Sequence, residues 1–318
     1  MTVIHVASVS SGKDSDETLR QCLARVPKER VRAVICDTGN EHEQVWKHIA
    51  YLEQRFGIKV DVLRADFAAE LAAKRRFIAN DQRTGRDRKG RRLRWSNKAK
   101  RRALAVMYPS GNPFLDLCMW KGRFPSRKAQ FCTQELKTAM LVQYQQAFVE
   151  AGHRVVSWQG VRRDESLNRR HAKLFERLQP RTYAYRPLVE WTAMQVFGSL
   201  SAHDIEPNAL YRMGMGRVGC MPCINAQKRE LREIDLRWPE ELDRLAEWER
   251  IVGACSKRGF STFFTDGHLA KDRRLIFADL NVRARIQWSK TTRGGKQFDL
   301  LAADEPAAAC ASSYGLCD

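Results

Sequence analysis

The sequence contains no apolar run that approaches the roughly 20 residues needed to span a bilayer. It shows no internal repeat, and it begins with strand-forming residues rather than with a basic segment followed by an apolar core. These absences argue against a transmembrane protein, a repeat array and a secreted protein. We therefore expect a cytoplasmic protein with no membrane partner.

Disulfide bonds are not expected either. The chain has nine cysteines, and an odd number cannot all pair within one chain. In addition, thiols in a reducing compartment stay free. Cys22, Cys36, Cys118 and Cys255 lie in apolar or helical patterns and are interpreted as small core residues. Some of the remaining cysteines are better explained as ligands of a metal ion or cluster.

The first apolar segment leads directly into a turn rich in serine and glycine. Residues 3–9 predict a strand, and the turn Ser10–Ser15 carries Gly12 and Lys13 where a helix is expected to begin. Backbone N–H groups at a helix start, the helix dipole, hydroxyls and an ammonium group can together bind one polyphosphate. Six small and polar residues could also form a plain turn. The spacing matches neither the Walker loop nor the dinucleotide fingerprint.

Strands and helices alternate along the start of the chain, which predicts an α/β protein with a doubly wound, mostly parallel sheet. The expected strands are 3–9, 31–37, 58–64, 153–158 and one near 183–188; the expected helices are 15–26, 41–56, 134–151, 192–203 and helical segments within 226–256. Ligands bind at the carboxyl ends of parallel strands. The Ser10–Ser15 turn and the Asp37-Thr38-Gly39 turn should therefore line one crevice.

The expected domain organisation has three parts. Residues 1–225 would form a nucleotide-binding domain with a basic insertion at 74–102, residues 226–302 a helical region, and residues 303–318 a tail that contains cysteines. With 318 residues, of which 43% are hydrophobic, the chain can bury a sizeable core.

Positive charge is concentrated in the basic insertion. The chain has a formal charge of +19, and between Lys74 and Arg102 fourteen Lys and Arg residues face two aspartates. Such a run is either a solvated, mobile face or a contact with nucleic acid, and the excess of arginine over lysine favours phosphate binding. The residues expected to contact nucleic acid are Arg75, Arg76, Arg88, Arg91, Arg92, Trp95 and Arg101.

A group of arginines follows the predicted strand 153–158. The sequence there reads Gly160-x-Arg162-x-x-Glu165-Ser166-x-x-Arg169. Arginines at a strand end can bind a second anion or neutralise charge in a phosphoryl transition state. A surface ion pair with a neighbouring acidic residue would explain the presence of any one of these arginines. It explains the presence of all of them together less readily.

These segments resemble, in the same order, the motifs of the phosphoadenosine phosphosulfate (PAPS) reductase family, which is related to the PP-loop ATP pyrophosphatases. The first turn resembles S-G-G-x-D-S, with Ser11 in place of the first glycine. The arginine group resembles G-x-R-x-x-E-S-x-x-R, residues 186–192 resemble R-P-L-x-x-W-T, and residues 203–223 resemble H-x-x-x-x-N-x-L-Y followed by G, R-x-G-C-x-x-C. The resemblance covers residues 1 to about 230 and implies an adenine nucleotide alpha-hydrolase-like fold.

The resemblance implies roles for individual residues. The phosphate and nucleotide ligands would be Ser8, Ser10, Ser11, Gly12, Lys13, Ser15, Asp37, Thr38, Gly39, Gly160 and Arg162, and the catalytic residues Lys13, Asp14, Arg162, Glu165 and Arg169. Because the Lys13 loop looks intact, unlike the degraded loop of the PAPS reductases, the nucleotide would be ATP with Mg2+ rather than PAPS.

The remaining cysteines are expected to hold an iron–sulfur cluster. Cys220 and Cys223 form a C-x-x-C turn, and Cys132 precedes a predicted helix whose dipole would lower its pKa. The segment around Cys132 resembles F-C-T-x-x-L-K of cluster-bearing relatives such as the sulfurtransferase of DNA phosphorothioation. Cys317 or Cys310 would complete a 4Fe-4S site, with zinc as the alternative.

Three functions follow from these patterns. The preferred one is cleavage of ATP to AMP and pyrophosphate, which adenylates an acceptor for sulfur transfer from a sulfur donor. The basic insertion suggests that this acceptor is a nucleic acid. The alternative is a thiol-dependent PAPS or adenylyl-sulfate reductase served by a thiol reductant protein. A non-catalytic nucleic-acid-binding protein is the third.

Overall fold

The computed structural model describes residues 2–167, 169–264 and 277–290. The described residues form two compact units: one contains residues up to 65 and 130–233, and the other contains residues 66–129, 234–264 and 277–290. No helix in the described ranges is long and apolar enough to cross a membrane.

The first unit is built on a six-stranded sheet. Its strands are β1 (Val3–Ser8), β2 (Val31–Asp37), β3 (Val60–Arg64), β4 (Arg154–Trp158), β5 (Phe175–Gln179) and β6 (Thr182–Tyr185), in the order β3-β2-β1-β4-β6-β5. All neighbours are parallel except β5 and β6. The order reverses between β1 and β4, and such a switch point opens a crevice at the carboxyl ends of the strands. The predicted α/β class with a mostly parallel sheet is confirmed.

Helices accompany these strands along the chain. In the first unit they are α1 (Lys13–Arg25), a 3-10 turn (Lys28–Arg30), α2 (Glu43–Phe56), α6 (Phe131–Thr133), a π-helical segment (Gln134–Thr138), α7 (Ala139–Glu150), a 3-10 turn (Arg163–Glu165), α8 (Ala193–Ala202) and α9 (Ala209–Arg212); α10 (Lys228–Arg237) begins there and ends in the second unit. Their apolar sides cover the sheet, where Val6, Val34, Leu141 and Val155 form a buried cluster.

The second unit is helical. It contains α3 (Ala68–Ala79), α4 (Asn97–Val106), α5 (Pro113–Lys121), α11 (Pro239–Cys255), α12 (Phe277–Leu280) and α13 (Val282–Lys290). Helix α11 packs against α4, α5 and α13. Phe114 stacks on Trp248 at 5.6 Å between ring centroids, and Phe263 contacts both Phe114 and Phe124.

This division differs from the expected one at residue 225. The expectation placed 66–129 inside the nucleotide-binding domain, whereas the structure groups that segment with the helices after residue 234, because the α11 core packs on α4 and α5. The predicted tail, 303–318, lies outside the described residues.

Candidate nucleotide and thiol site

The turn between β1 and α1 has the local geometry of a phosphate loop. Gly12 is extended and precedes the first residue of α1, Lys13. The Ser15 hydroxyl fixes the turn, since it accepts a hydrogen bond from the Ser10 N–H at 3.1 Å and donates to the Gly12 carbonyl at 2.8 Å. The side-chain hydroxyls of Ser8 and Ser10 are buried and have no hydrogen-bond partner within the described part of the chain. Buried hydroxyls without a partner are costly, so the turn is suited to an anionic ligand that would accept from them.

Ser11 has a backbone conformation that favours glycine. Its φ angle is +65°, at the position where the PP-loop motif has its first glycine. The Asn208 amide donates to the Ser11 hydroxyl at 2.7 Å and also to the Gln44 carbonyl at 3.1 Å. The serine therefore gains a buried hydrogen bond in exchange for backbone strain.

The predicted catalytic residues Lys13, Asp14 and Arg162 form one buried ionic group. The Asp14 carboxylate lies 3.1 Å from Lys13 Nζ and 2.7 Å from Arg162 Nε. Arg162 also pairs with Asp164, and Arg169 pairs with Glu165, whose carboxylate accepts from the Arg162 N–H. The arginine group therefore joins the phosphate loop through Arg162, while Arg169 lies one ion pair further away.

Gly160 makes this approach possible. A Cβ atom there would lie 2.8 Å from the carbonyl carbon and oxygen of Asp14 and 3.0 Å from the Ser15 nitrogen. These are backbone atoms that cannot rotate away. The first glycine of the arginine motif is therefore required for contact with the phosphate loop.

Tyr211 contacts the start of α1, an interaction that no pattern in the sequence predicts. Its hydroxyl accepts from the Lys13 backbone N–H at 3.1 Å, and the Lys13 ammonium lies 5.6 Å from the centre of its ring. A phosphate bound at the start of α1 would compete for the same N–H group. Tyr211 and Asn208 belong to the N-x-L-Y part of the motif, so their presence was a signal, but their contacts were not.

The Asp37-Thr38-Gly39 turn ends β2 beside the C-x-x-C turn. The Asp37 carboxylate accepts from the Gly39 N–H at 2.8 Å and pairs with Arg64. Thr38 Oγ1 donates to Glu41 at 2.6 Å and lies 3.6 Å from Cys220 Sγ.

Backbone contacts connect the two turns. Residues 41 and 220 form an antiparallel bridge, and the Met221 N–H donates to the Asn40 carbonyl at 2.8 Å. A single pocket is lined by Val9, Ser10, Ile35, Cys36, Glu41, Lys137 and Gly219. The start of the phosphate loop and the residue before Cys220 therefore line one small pocket, of about 10 Å3. Asp37, Thr38 and Gly39 do not line it, so the crevice expected between the two turns stays a prediction.

Lys137 is a buried cation among thiols. Burial alone would lower its pKa, but the neighbouring Cys220, Glu41, Cys36 and Cys132 outweigh burial and raise it. Burial raises the pKa of Cys220, although Lys137 opposes that shift. Lys137 therefore supplies the positive charge that a thiolate here would need.

The expected low pKa of Cys132 is wrong. Burial raises its pKa to about 11, and the nearby Cys223 raises it further, while Lys137 acts in the opposite direction. Cys132 lies in the first turn of a continuous helical stretch, since α6 leads directly into the π-helical segment and α7. Burial of the thiol therefore outweighs the favourable effect of that helix dipole.

The described thiols do not by themselves form a metal site. Cys132, Cys220 and Cys223 influence one another electrostatically, but no three Cys, His, Asp or Glu side chains converge as ligands of one ion in the ranges that the structure covers. Cys310 and Cys317 lie outside the described residues. The 4Fe-4S and zinc interpretations therefore stay predictions. The four cysteines interpreted as core residues are buried, as expected: Cys22, Cys36, Cys118 and Cys255.

The basic insertion is folded in the second unit. Trp95, expected to contact bases, is only 6% exposed, and its backbone N–H donates to the buried Asp81 carboxylate at 2.8 Å. Arg75 donates to the carbonyls of Leu104 and Met107 and so holds the end of α4. Trp95 and Arg75 therefore have structural roles, whereas Arg76, Arg88, Arg91, Arg92 and Arg101 are exposed.

Comparisons with known proteins identify the family. The model of the phosphoadenosine phosphosulfate reductase domain matches residues 4–226. An uncharacterized 37.8 kDa protein of Escherichia phage 186 is 43% identical over all of this chain and 97% of its own length. An adenosine 5'-phosphosulfate reductase of Burkholderia cepacia is 37% identical over 68 residues, which is 21% of this chain and 27% of that protein.

A solved structure of phosphoadenylyl-sulfate reductase from Candida auris, in complex with phosphate, is also similar. It covers 69% of this chain and 81% of its own, with 12% sequence identity and a TM-score of 0.38. The family assignment depends on the domain model, whose match extends from β1 to beyond the C-x-x-C turn. The chain therefore belongs to the phosphoadenosine phosphosulfate reductase family of nucleotide-binding enzymes.

Proposed function

We propose that this protein binds ATP at the β1–α1 turn and cleaves it to AMP and pyrophosphate, adenylating an acceptor for sulfur transfer. The observation that carries the proposal is the pair of buried hydroxyls of Ser8 and Ser10, which have no partner within the described residues and lie in the segment that leads into Lys13. A polyphosphate offers several acceptor oxygens at once, and it would satisfy both hydroxyls together with N–H groups at the start of α1.

The buried ionic group supports cleavage at the α-phosphorus. An acceptor oxygen would attack this phosphorus, the bond to the bridging oxygen would break, and pyrophosphate would leave. Lys13 and Arg162 both contact the Asp14 carboxylate, and Arg162 also pairs with Asp164, so this group would hold two cationic side chains in place for the charge that develops on the departing phosphates. Bound Mg2+ would supply further charge neutralisation.

Sulfur transfer would complete the reaction. A donor at the oxidation level of hydrosulfide attacks the adenylated carbon, AMP leaves with the acceptor oxygen, and no external oxidant or reductant is consumed. The C-x-x-C turn beside the end of β2, with Lys137 and Cys220 close enough to influence each other's pKa, favours sulfur chemistry at this end of the sheet. No step is assigned to a metal cluster, because the described thiols do not converge as its ligands.

A second candidate is reduction of adenylyl sulfate or PAPS to sulfite. The adenosine 5'-phosphosulfate reductase relative favours it. In that reaction a thiolate attacks the sulfonyl sulfur, the nucleotide leaves, and a second thiol from a reductant protein releases sulfite. The two candidates share the nucleotide site and differ in which bond breaks.

The products separate the candidates. Purified protein is incubated with ATP and Mg2+, and separately with PAPS or adenylyl sulfate plus dithiol, and both pyrophosphate and sulfite are measured. We expect pyrophosphate from ATP, lost in Lys13→Ala and retained in Lys47→Ala, an exposed lysine on α2. Sulfite without pyrophosphate would replace the first proposal by the second, and neither product with any nucleotide would refute both.

A further inference from the structure

Two adjoining basic cavities lie in the second unit. One, of about 750 Å3, is lined mainly by residues 91–97 together with Lys257 and Arg258. The other, of about 540 Å3, lies between α5, the end of α11 and the segment 256–262. Trp95, Lys257 and Arg258 line both cavities, so they form one continuous surface, which we call the Arg258 groove.

Positive charge dominates this groove. Its cationic lining residues are Lys74, Arg91, Arg92, Arg94, Lys121, Arg123, Lys257 and Arg258. Asp87 is the one acidic side chain among the described lining residues, and it is paired with Arg91 at 2.9 Å. A cleft lined by charges of one sign concentrates ligands of the opposite sign.

The groove is held in shape by some of its cations and leaves others available. Lys257 donates to the Leu93 carbonyl at 2.8 Å, and Arg102 donates to the Ser256 carbonyl at 2.8 Å, so the segment after α11 is tied to the insertion. Arg92, Arg94 and Arg258 are exposed and make no side-chain hydrogen bond or ion pair in the described structure. Three guanidinium groups on one surface can therefore contact successive phosphates.

An aromatic ring adds a second kind of contact. Phe260 is 41% exposed and lines the smaller cavity, three positions from Lys257. A basic groove with an accessible ring is the arrangement by which proteins bind single-stranded nucleic acid, whose phosphates follow the charges while a base stacks on the ring. An acidic peptide would use the charges but would gain little from the ring.

We infer that the Arg258 groove binds single-stranded nucleic acid, with Arg92, Arg94 and Arg258 on phosphates and Phe260 stacked on a base. Two of these residues, Arg258 and Phe260, come from outside the insertion at 74–102 and were not expected from the sequence. The inference deepens the proposed function, because the bound nucleic acid would be the acceptor that is adenylated. The role as acceptor rests on the proposed function, whereas the binding itself does not.

Binding to fluorescent 20-nucleotide single strands of DNA and of RNA, and to a DNA duplex of equal length, tests the inference. The triple variant Arg92→Gln, Arg94→Gln, Arg258→Gln should bind a single strand at least roughly tenfold more weakly, and its salt slope should fall by about 2. The control triple variant Arg30→Gln, Lys59→Gln, Arg154→Gln removes the same charge from exposed sites at or just before the amino ends of strands in the first unit, and it should bind like wild type.

Stacking is tested separately at Phe260. Phe260→Leu keeps apolar bulk without a ring and should weaken single-strand binding roughly tenfold, whereas Phe260→Trp should retain it. Equal loss in both triple variants would reduce the effect to net charge and overturn the inference. Duplex binding as tight as single-strand binding, with no effect of Phe260→Leu, would overturn it too, as would a wild-type preference for polyglutamate-like acidic peptides over nucleic acid.

The test is independent of catalysis. Lys13→Ala should bind nucleic acid normally while losing pyrophosphate release, and the groove triple variant should still bind ATP. Failure of the groove variants to lose nucleic acid would sink this inference alone, whereas absence of ATP cleavage would sink only the proposed function. The DNA and RNA arms identify which nucleic acid is preferred.

Discussion

Gly160→Ala is the substitution that best tests whether the phosphate loop and the arginine motif act as one site. The added Cβ would lie 2.8 Å from the carbonyl carbon and oxygen of Asp14, and these atoms would have to separate by about 0.6 Å to reach an ordinary contact of 3.4 Å. Both sides of the contact are backbone, at the start of α1 and just after β4, so the strain cannot be relieved by a rotamer change.

Overpacking of a rigid contact costs roughly 1–3 kcal/mol in unfolding free energy, which corresponds to a melting temperature lower by several degrees, at about 2–4 °C per kcal/mol. The same displacement should lengthen the 2.7 Å contact between Arg162 and Asp14. We therefore expect weaker ATP binding in calorimetry together with the loss of stability in urea unfolding.

Gly198→Ala is the matched control. Gly198 lies inside α8, and a Cβ atom there would meet no neighbouring group within 4 Å. The variant should gain about 0.5–1 kcal/mol because alanine favours helix. The free energy of unfolding of Gly160→Ala could instead lie within about 0.5 kcal/mol of the wild-type value, which is the scatter of neutral surface changes. If the variant also bound ATP normally, the close packing at Gly160 would not be needed for the site.

Three other perturbations have signs fixed by single contacts. Ser11→Ala should be less stable than Ser11→Gly by roughly 1–2 kcal/mol in urea unfolding, because both variants lose the Asn208 hydrogen bond but only alanine keeps the backbone strain of φ +65°. Equal stabilities of the two variants would contradict this prediction. Tyr211→Phe should tighten ATP binding by a few-fold, since the Lys13 N–H loses its competitor; weaker binding in calorimetry would show that the hydroxyl contacts the ligand instead. Burial raises the pKa of Glu249 to about 7, so the folded state favours the protonated acid. The free energy of unfolding should therefore fall by on the order of 2–3 kcal/mol as pH rises from about 4.5 to 7.5. Glu249→Gln should flatten this dependence on pH, and equal dependence in the variant and wild type would refute the assignment.

The sequence predicted the parallel part of the sheet because each strand there is a short buried run bounded by turn residues. It did not predict β5, whose residues Phe175–Gln179 alternate between exposed and half-buried positions and have no continuous apolar face. This strand pairs antiparallel with β6 at the edge of the sheet, where burial leaves little pattern in the residues.

The second unit was beyond prediction for a different reason. Its core joins α4 and α5 to α11, which are separated by more than a hundred residues of sequence. Amphipathic patterns show that each helix buries one side, but they do not show which helix covers it. The burial of Trp95, which was expected to contact bases, was missed for the same reason, since an aromatic residue in a charged run can equally be the buried anchor of that run.

The site residues were predicted where a motif fixes chemistry in a short stretch, and missed where burial decides it. Lys13, Asp14 and Arg162 meet as expected, although they come from two different strand ends. The pKa of Cys132 was misjudged because desolvation outweighs a helix dipole once the thiol is enclosed.

Unpartnered hydroxyls and backbone strain in the loop favour a nucleotide over a purely structural role. Lys13 and Arg162 both contact the fully buried carboxylate of Asp14, and Arg162 pairs with Asp164 as well, so the cations of the loop are held in place by buried ion pairs. The adjacent Ser8 and Ser10 hydroxyls lack partners within the described residues, and Ser11 holds a strained backbone in the same turn. A structural turn would gain nothing from this combination. A bound polyphosphate, as proposed above, would supply acceptor oxygens to both hydroxyls at once.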